Sequence, residues 1–292
     1  MTELNEKTKH KNDDREVEWT FDFANISEGI SNMLDSLAGE EEVIESHFVA
    51  AKDKAENARL KINFSVGKGN LSAMSAGGDS LLEAHLKHVG EIDFSESGDT
   101  TKTVSIKQKS KIANVARPFK QGFRALANRE DLEWNIQIAP DIPLSLDIDG
   151  GVGPTEVDLT GTMLRSLKLD AGVGTLAVVL PQQDNKFTAD IDGGVGQTKI
   201  TVPDNADANL QIDGGVGAID VTIPANAAVQ IRASSGLGAV HVPKSLKRLS
   251  KKDFMEQGGL WQSEGFDLAE RRIVIRFKGG VGAFNLHAAD MA

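Results

Sequence analysis

The stretch LSLDIDGGVGPTEVDL, residues 144–159, decides the fold because it places a glycine bend between two alternating segments. Leu144, Leu146 and Ile148 alternate with polar residues before the bend, and the alternation resumes at Val157 after it. Alternation with a period of two residues is typical of half-buried strands. The segment therefore predicts two short strands joined by a glycine corner.

This bend is one of six copies of the phrase Gly-(Val/Leu)-Gly, which follow one another at steps of 21, 22, 21, 21 and 44 residues. The last step equals two periods of 22, and a fixed period of this length is typical of a solenoid. We therefore predict an all-β fold, a single-stranded parallel β-helix (β-solenoid) with coils of about 21–22 residues. The glycines expected to shape its bends are Gly151, Gly153, Gly172, Gly174, Gly194, Gly196, Gly215, Gly217, Gly236, Gly238, Gly280 and Gly282.

The rest of the chain is assigned around these coils. Residues 1–57 are predicted to form an acidic N-terminal arm with an amphipathic capping helix, and residues 58–288 the solenoid. Within the solenoid we expect regular coils over 134–243 and 271–288, with a helical insert at 244–258 that fills the missing coil. A fainter copy of the phrase occurs earlier, where Gly69 lies four periods of 21 before Gly153.

Composition narrows the classes of function. The net charge of −11 disfavours general nucleic-acid binding. No apolar run approaches the roughly 18 residues of a membrane helix, and the polar start MTELNEKTKHKNDD lacks the apolar region of a secretory signal. The absence of cysteine excludes disulfides and thiolate metal sites. We expect a cytoplasmic protein without a cofactor, and leave open a peripheral contact at the inner face of the membrane.

A row of carboxylates is the most suggestive candidate site. The residues two places before each Gly-x-Gly are Asp149, Asp170, Asp192, Asp213, Ser234 and Lys278. Parallel coils in register lie about 4.8 Å apart, so four carboxylates would stack. Each aspartate could accept hydrogen bonds from the N–H groups of its own turn, or the row could bind Ca²⁺. We favour capping, because the nine-residue period of the calcium-binding repeats is absent.

Other candidates are weaker. The basic run Lys244, Lys247, Arg248, Lys251 and Lys252 is typical of a solvated face, with a patch for an anionic partner as the alternative. The six histidines, including His47, His85 and His88, show no ligand spacing that we recognise. No nucleophile motif, phosphate loop or paired acid and base stands out. The sequence predicts no catalytic residues.

Three phrases occur in order over about residues 58–288: LKINFSVGKGNLSA, DLEWNIQIAPDIPLSLDIDGGVG and RIVIRFKGGVGAFNL. Because of these phrases and their order, the chain resembles the bacterial toast-rack and LiaF-like group, which is related to the putative-adhesin β-solenoids. The resemblance implies a non-enzymatic β-solenoid, and some relatives regulate cell-envelope stress signalling. Our leading hypothesis is an interaction or regulatory module with an unidentified protein partner. The alternatives are a carbohydrate-active parallel β-helix enzyme and a self-assembling, bactofilin-like scaffold, and the oligomeric state is open.

Overall fold

The computed structural model describes residues 42–109, 131–234, 236–250 and 258–289. The first strands are β1 Ile44–Ala51, β2 Asn57–Asn63, β3 Lys68–Ala73, β4 Ser80–His88, β5 Ile92–Ser97, β6 Thr101–Gln108, β7 Glu133–Ile138, β8 Pro143–Asp149, β9 Thr155–Asp158, β10 Met163–Asp170 and β11 Val173–Val179. The remaining strands are β12 Phe187–Asp192, β13 Val195–Thr201, β14 Ala208–Asp213, β15 Val216–Pro224, β16 Val229–Ser234, β17 Leu237–His241, β18 Lys247–Arg248, β19 Gly259–Gln262, β20 Ile273–Lys278 and β21 Val281–Ala289. The one helical element of these ranges is a 3-10 turn at Phe266–Leu268.

The strands form two sheets, and each coil contributes one strand to each. Sheet A has the order β1-β4-β7-β3-β9-β11-β13-β15-β21-β17. Sheet B has the order β18-β19-β16-β20-β14-β12-β10-β8-β2-β6-β5. The strands of successive coils pair in parallel, from β8 through β10 and β12 to β14 in sheet B. The predicted all-β solenoid of parallel strands is confirmed.

The core lies between the two sheets and is built from aliphatic columns. One such column occupies the same register position in four neighbouring strands and consists of Leu146, Leu167, Ala189 and Leu210. Each of these side chains is 2% exposed. Full burial of one leucine side chain is worth about 1.5–3 kcal/mol relative to exposure. Each coil therefore depends on its neighbours to cover its apolar edge.

The coils at the C-terminal end are not stacked in sequence order. Strands β20 and β21 lie between the β14/β15 coil and the β16/β17 coil. The step of 44 residues therefore does not represent two successive turns, as the sequence predicted. The later coil is inserted beside β14/β15, and the earlier coil is displaced outward.

The other end has the same arrangement. The β2/β3 coil pairs directly with β8 and β9, while β6 and β7 pair on its outer side. The faint early copy of the repeat belongs to this coil, but Val66 pairs with Val152, so Gly67 rather than Gly69 stacks on Gly153. Antiparallel strands β4, β1 and β5 continue the sheets beyond this coil.

The sequence predicted two helices, one near each end of the chain. The N-terminal capping helix lies outside the described residues. The helix expected at 244–258 is wrong for residues 244–250, because Lys247–Arg248 forms β18 and pairs with β19. The N–H of Leu249 donates to the carbonyl of Leu260, so cross-strand pairing replaces helical bonds there. Residues 251–257 lie outside the described residues, and the division at residue 57 stays a prediction.

The glycine bends bring the main chains of neighbouring coils into contact. The closing glycines Gly153, Gly174, Gly196, Gly217 and Gly282 have φ angles between 136° and 142°. At Gly196, with φ of 137°, an added Cβ would collide with the carbonyl oxygen of Gly174 in the coil beneath. Both the dihedral angle and the close approach require glycine.

Replacing Gly196 by Val should therefore lower the free energy of unfolding by at least about 1–3 kcal/mol, and the loss should extend to neighbouring coils. Urea or thermal unfolding measures the change. Gly78→Val is the matched control, because a Cβ at Gly78 meets no atom within 4 Å. Equal stability of Gly196→Val and the parent would show that the bends tolerate a side chain.

Candidate functional site

The aspartate row lies on the outer face of sheet B. The row consists of the last residues of β8, β10, β12 and β14, which are Asp149, Asp170, Asp192 and Asp213 respectively. These residues pair in register from strand to strand. Each stands immediately before a glycine bend, with its side chain exposed or half-buried. The sequence placed these four residues in one row, and the strand register does the same.

The ends of the row differ from the sequence prediction. Lys278, rather than Ser234, stands next to Asp213, because β20 is inserted beside β14. The Lys278 Nζ lies 4.0 Å from a carboxylate oxygen of Asp213. At the other end, Asn63 donates a hydrogen bond of 3.1 Å to Asp149. The row therefore runs between an amide and an ammonium group.

The backbone N–H groups that follow two of the aspartates do not bond to the carboxylates, contrary to the capping interpretation. The N–H groups of Gly150 and Gly193, which directly follow Asp149 and Asp192, donate to the backbone carbonyls of Asp170 and Asp213. These N–H groups continue the ladder between coils and do not bind the carboxylates of their own turns. The capping prediction is wrong for these N–H groups, because the neighbouring coil supplies a backbone acceptor at the same position.

The crowded carboxylates perturb one another. Partial burial, followed by a hydrogen bond and charge repulsion from Asp170, raises the pKa of Asp192 to about 7. Burial also raises the pKa of Asp149. One carboxylate oxygen each from Asp190, Asp192 and Asp213 lies within 4.8 Å of the others. Lys168, one column away, lies 3.7 Å from Asp170 and offsets part of the repulsion.

Replacing Asp192 by Asn should stabilise the protein at pH 8. The folded state holds the proton of Asp192 up to about pH 7, while the unfolded state releases it at about pH 4. The free energy of unfolding therefore falls as the pH rises between these values. The uncharged amide of the variant would avoid that loss, worth about 1 kcal/mol after screening by solvent. Urea unfolding at pH 4 and 8 should show a gain for Asp192→Asn only at pH 8.

Asp99→Asn is the control for the loss of one charge, because Asp99 lies in the exposed turn between β5 and β6. A gain of equal size in this variant would assign the effect to net charge. A gain that is the same at both pH values would contradict the raised pKa of Asp192.

Millimolar Ca²⁺ should leave the melting temperature unchanged. Lys278 and Lys168 already supply positive charge, and the raised pKa of Asp192 reduces its negative charge near neutral pH. Bound Ca²⁺ would instead stabilise the protein by about 2.7 kcal/mol at a hundredfold excess over its dissociation constant. Differential scanning calorimetry decides between the two. A rise that the double variant Asp170→Asn/Asp192→Asn abolishes would establish a calcium site.

A second row runs parallel to the aspartates along the glycine bends. The middle residues of the phrases pair in register from coil to coil, and we call this row the aliphatic ridge: Val66, Val152, Val173, Val195, Val216, Val281 and Leu237. Val89 and Leu132 pack against Val66 at one end. The other end is open, with Val281 38% and Leu237 77% exposed. The ridge follows the aspartate row by three residues in every coil.

The basic run is divided by the fold. Lys244 lies in a turn, Lys247 and Arg248 form β18, and Lys251 and Lys252 fall outside the described residues. The guanidinium of Arg248 lies 5.0 Å from the ring centroid of Trp261 and donates to the carbonyl of Gly258. Arg248 therefore links β18 to Gly258 and to Trp261 of β19. The proposed anionic-partner patch stays a prediction.

Sequence reasoning missed a cluster of histidines. Antiparallel pairing of β1 with β4 places His47 opposite His85, with their rings stacked at a centroid distance of 4.0 Å. Glu83 lies on the same strand face as His85, two residues away. A separate histidine, His88, is buried and hydrogen-bonded to the hydroxyl of Ser46 at 2.9 Å. Only the register of β1 could have revealed the pair, because 38 residues separate the two histidines in the chain.

Among the described residues, no helix has the length and apolar character needed to cross a bilayer. The family described as the N-terminal domain of toast_rack, DUF2154, matches residues 38–201. This match covers more than half of the chain, so the protein belongs to the toast-rack family. The resemblance seen in the sequence is confirmed. No curated protein matches the chain.

The comparison with solved structures finds two proteins. One is a putative cell adhesion protein from Clostridium sporogenes ATCC 15579, with 20% identity and a TM-score of 0.59 over 85% of this chain and all of that chain. The other is a putative adhesin from Bacteroides fragilis NCTC 9343, with 11% identity and a TM-score of 0.27 over 84% of this chain and 97% of that chain. At 20% identity, the first likeness shows a shared fold.

Proposed function

We propose that this protein is a non-catalytic interaction module that binds a protein partner through the bend edge of the solenoid. The observation that carries the proposal is the pair of parallel rows, one of carboxylates and one of aliphatic side chains. Strand pairing in sheet B holds the aspartates in register, and pairing at the start of the sheet A strands holds the ridge in register, over at least four coils. A rigid surface of this kind favours recognition of an extended partner segment.

The chemistry of the rows defines the partner. The aspartate row presents negative charge, reduced at Asp192 by its raised pKa, and the ridge beside it presents apolar side chains. A complementary segment carries Lys or Arg next to aliphatic or aromatic residues, since opposite charges steer association and apolar anchors supply affinity. Leu237 is the most accessible anchor of the ridge, at 77% exposure. The partner is therefore a protein with a basic, apolar surface segment.

Family membership supports a regulatory role in the bacterial cell-envelope stress response, with the protein in the cytoplasm or peripherally at the inner face of the membrane. A filament of stacked copies fits the fold less well. Among the described strands, the edge strand β5 of sheet B runs opposite to the coil strands, so head-to-tail stacking of copies would not continue the parallel pairing of that sheet. The outer face of sheet B has only short bends beside the aspartates, which is unlike the loop-bound cleft of a carbohydrate-active enzyme.

Capture from native membranes and cytosol tests the proposal. Immobilised parent protein should retain a partner, and the double variant Leu237→Ser/Val281→Ser should lose it by at least about tenfold, which corresponds to 1.4 kcal/mol. Asp170→Asn/Asp192→Asn should weaken capture at low salt, and added salt should weaken binding to the parent. Quantitative mass spectrometry of the retained proteins measures both effects.

Leu268→Ser is the matched control, because Leu268 is 90% exposed and lies away from the ridge. This variant should retain the partner. Ridge and control variants should also differ in cells, where only the ridge variant should reproduce the effect of gene deletion on an envelope-stress reporter. Capture that is insensitive to both rows would refute the proposed surface.

A further inference from the structure

The end of sheet A gathers three metal-ligating side chains on one face. His47 of β1 lies directly opposite His85 of β4, and Glu83 follows on the same face of β4. One ring nitrogen from each histidine and one carboxylate oxygen of Glu83 all lie within 4.8 Å of one another. The two imidazole planes are inclined by only 12°. The strand register therefore places two imidazoles and a carboxylate around one point.

Apart from the stacking of the two imidazole rings, these three side chains make no polar contact with the described part of the chain. Within residues 42–109 and the other described ranges, no hydrogen bond or ion pair engages the imidazole nitrogens of His47 and His85 or the carboxylate of Glu83. Two other histidines do have polar partners. His88 pairs with Ser46, and His287 lies 3.6 Å from Asp220. The stacked pair and its carboxylate are exposed or half-buried, so a small ligand can reach them.

We propose that His47, His85 and Glu83 bind a divalent first-row transition metal ion, with Zn²⁺ as the best match. Two imidazoles and one carboxylate are ligands that Zn²⁺ accepts at about 2.0–2.2 Å. Tetrahedral ligands at that distance are about 3.3 Å apart, so closure from within 4.8 Å requires only rotation of exposed side chains. Imidazole ligation selects against Mg²⁺ and Ca²⁺, which prefer oxygen.

The surroundings leave room for the remaining coordination positions. A depression of about 210 Å³ adjoins the histidines, with Glu45, Lys87 and Asn135 in its lining. The ammonium of Lys87 lies 3.3 Å from the carboxylate of Glu45, so its charge is already partly balanced. Three protein ligands leave a fourth position for water or for a side chain of another molecule.

Metal binding has a mechanical consequence for the fold. Among the described strands, β1 is the edge of sheet A and pairs only with β4. A metal ion held by His47 and His85 cross-links these two strands on the outer face. Zn²⁺ therefore stabilises the folded state by mass action and acts first on the attachment of β1.

Isothermal titration of the full-length, tag-free protein with Zn²⁺ tests the site. We expect one equivalent to bind with micromolar or tighter affinity and to raise the melting temperature. His47→Gln and His85→Gln should each weaken binding by more than the 10–100-fold cost of losing an outer-shell partner. Glu83→Gln should weaken it less, because both imidazoles remain. Hydrogen exchange of residues 44–51 should slow when Zn²⁺ is added.

His241→Gln controls for an exposed histidine elsewhere, and Asp170→Asn/Asp192→Asn controls for adventitious binding at the aspartate row. Both should bind Zn²⁺ like the parent. Failure of the parent to bind one equivalent below about 100 μM would overturn the proposal. Unchanged binding by the double variant His47→Gln/His85→Gln would overturn it equally. Neither result bears on partner capture through the aliphatic ridge.

Discussion

The contact of main chain with main chain at the glycine bends is the constraint on which the structure depends. The N–H groups of Val173, Val195 and Val216 donate to the carbonyls of Gly151, Gly172 and Gly194 in the coil beneath. This ladder runs through the corner without interruption, so every coil repeats the phase of the last. Core leucines, aspartates and ridge valines consequently stand in separate straight columns, and no column can shift without the others.

The period of the glycine phrases and the alternation around them were sufficient to predict the coils, the buried columns and the row from Asp149 to Asp213. These features are local, since each is specified within one repeat. The order of the coils is not local. Lys278 and Ser234 occupy equivalent positions in their repeats, and nothing within either repeat says which will stand beside Asp213. The same limit hid His47 and His85, whose proximity depends on pairing between distant strands.

The outer face of sheet B carries an electrostatic conflict that the fold tolerates. Burial and the neighbouring Asp170 raise the pKa of Asp192 to about 7, and Asn63 and Lys278 relieve only the ends of the row. Removing one carboxylate would relieve the repulsion, so the row is not explained by stability. Local choices that oppose stability are expected at surfaces that serve binding. This is the physical argument for placing the partner beside the carboxylates.

The insertion of β20 and β21 between two earlier coils affects how the protein is made. The coil of β16 and β17 has its parallel neighbours in residues 273–289, so it has no docking surface when it is first synthesised. The 48 residues from the end of β17 to the end of β21 take on the order of 2–10 s at ribosomal speeds of about 5–20 residues per second. During that interval, the β14/β15 coil keeps an open edge that invites pairing with other nascent chains. Synthesis of β20 and β21 closes this edge, so the risk of aggregation is confined to the interval before these strands are made.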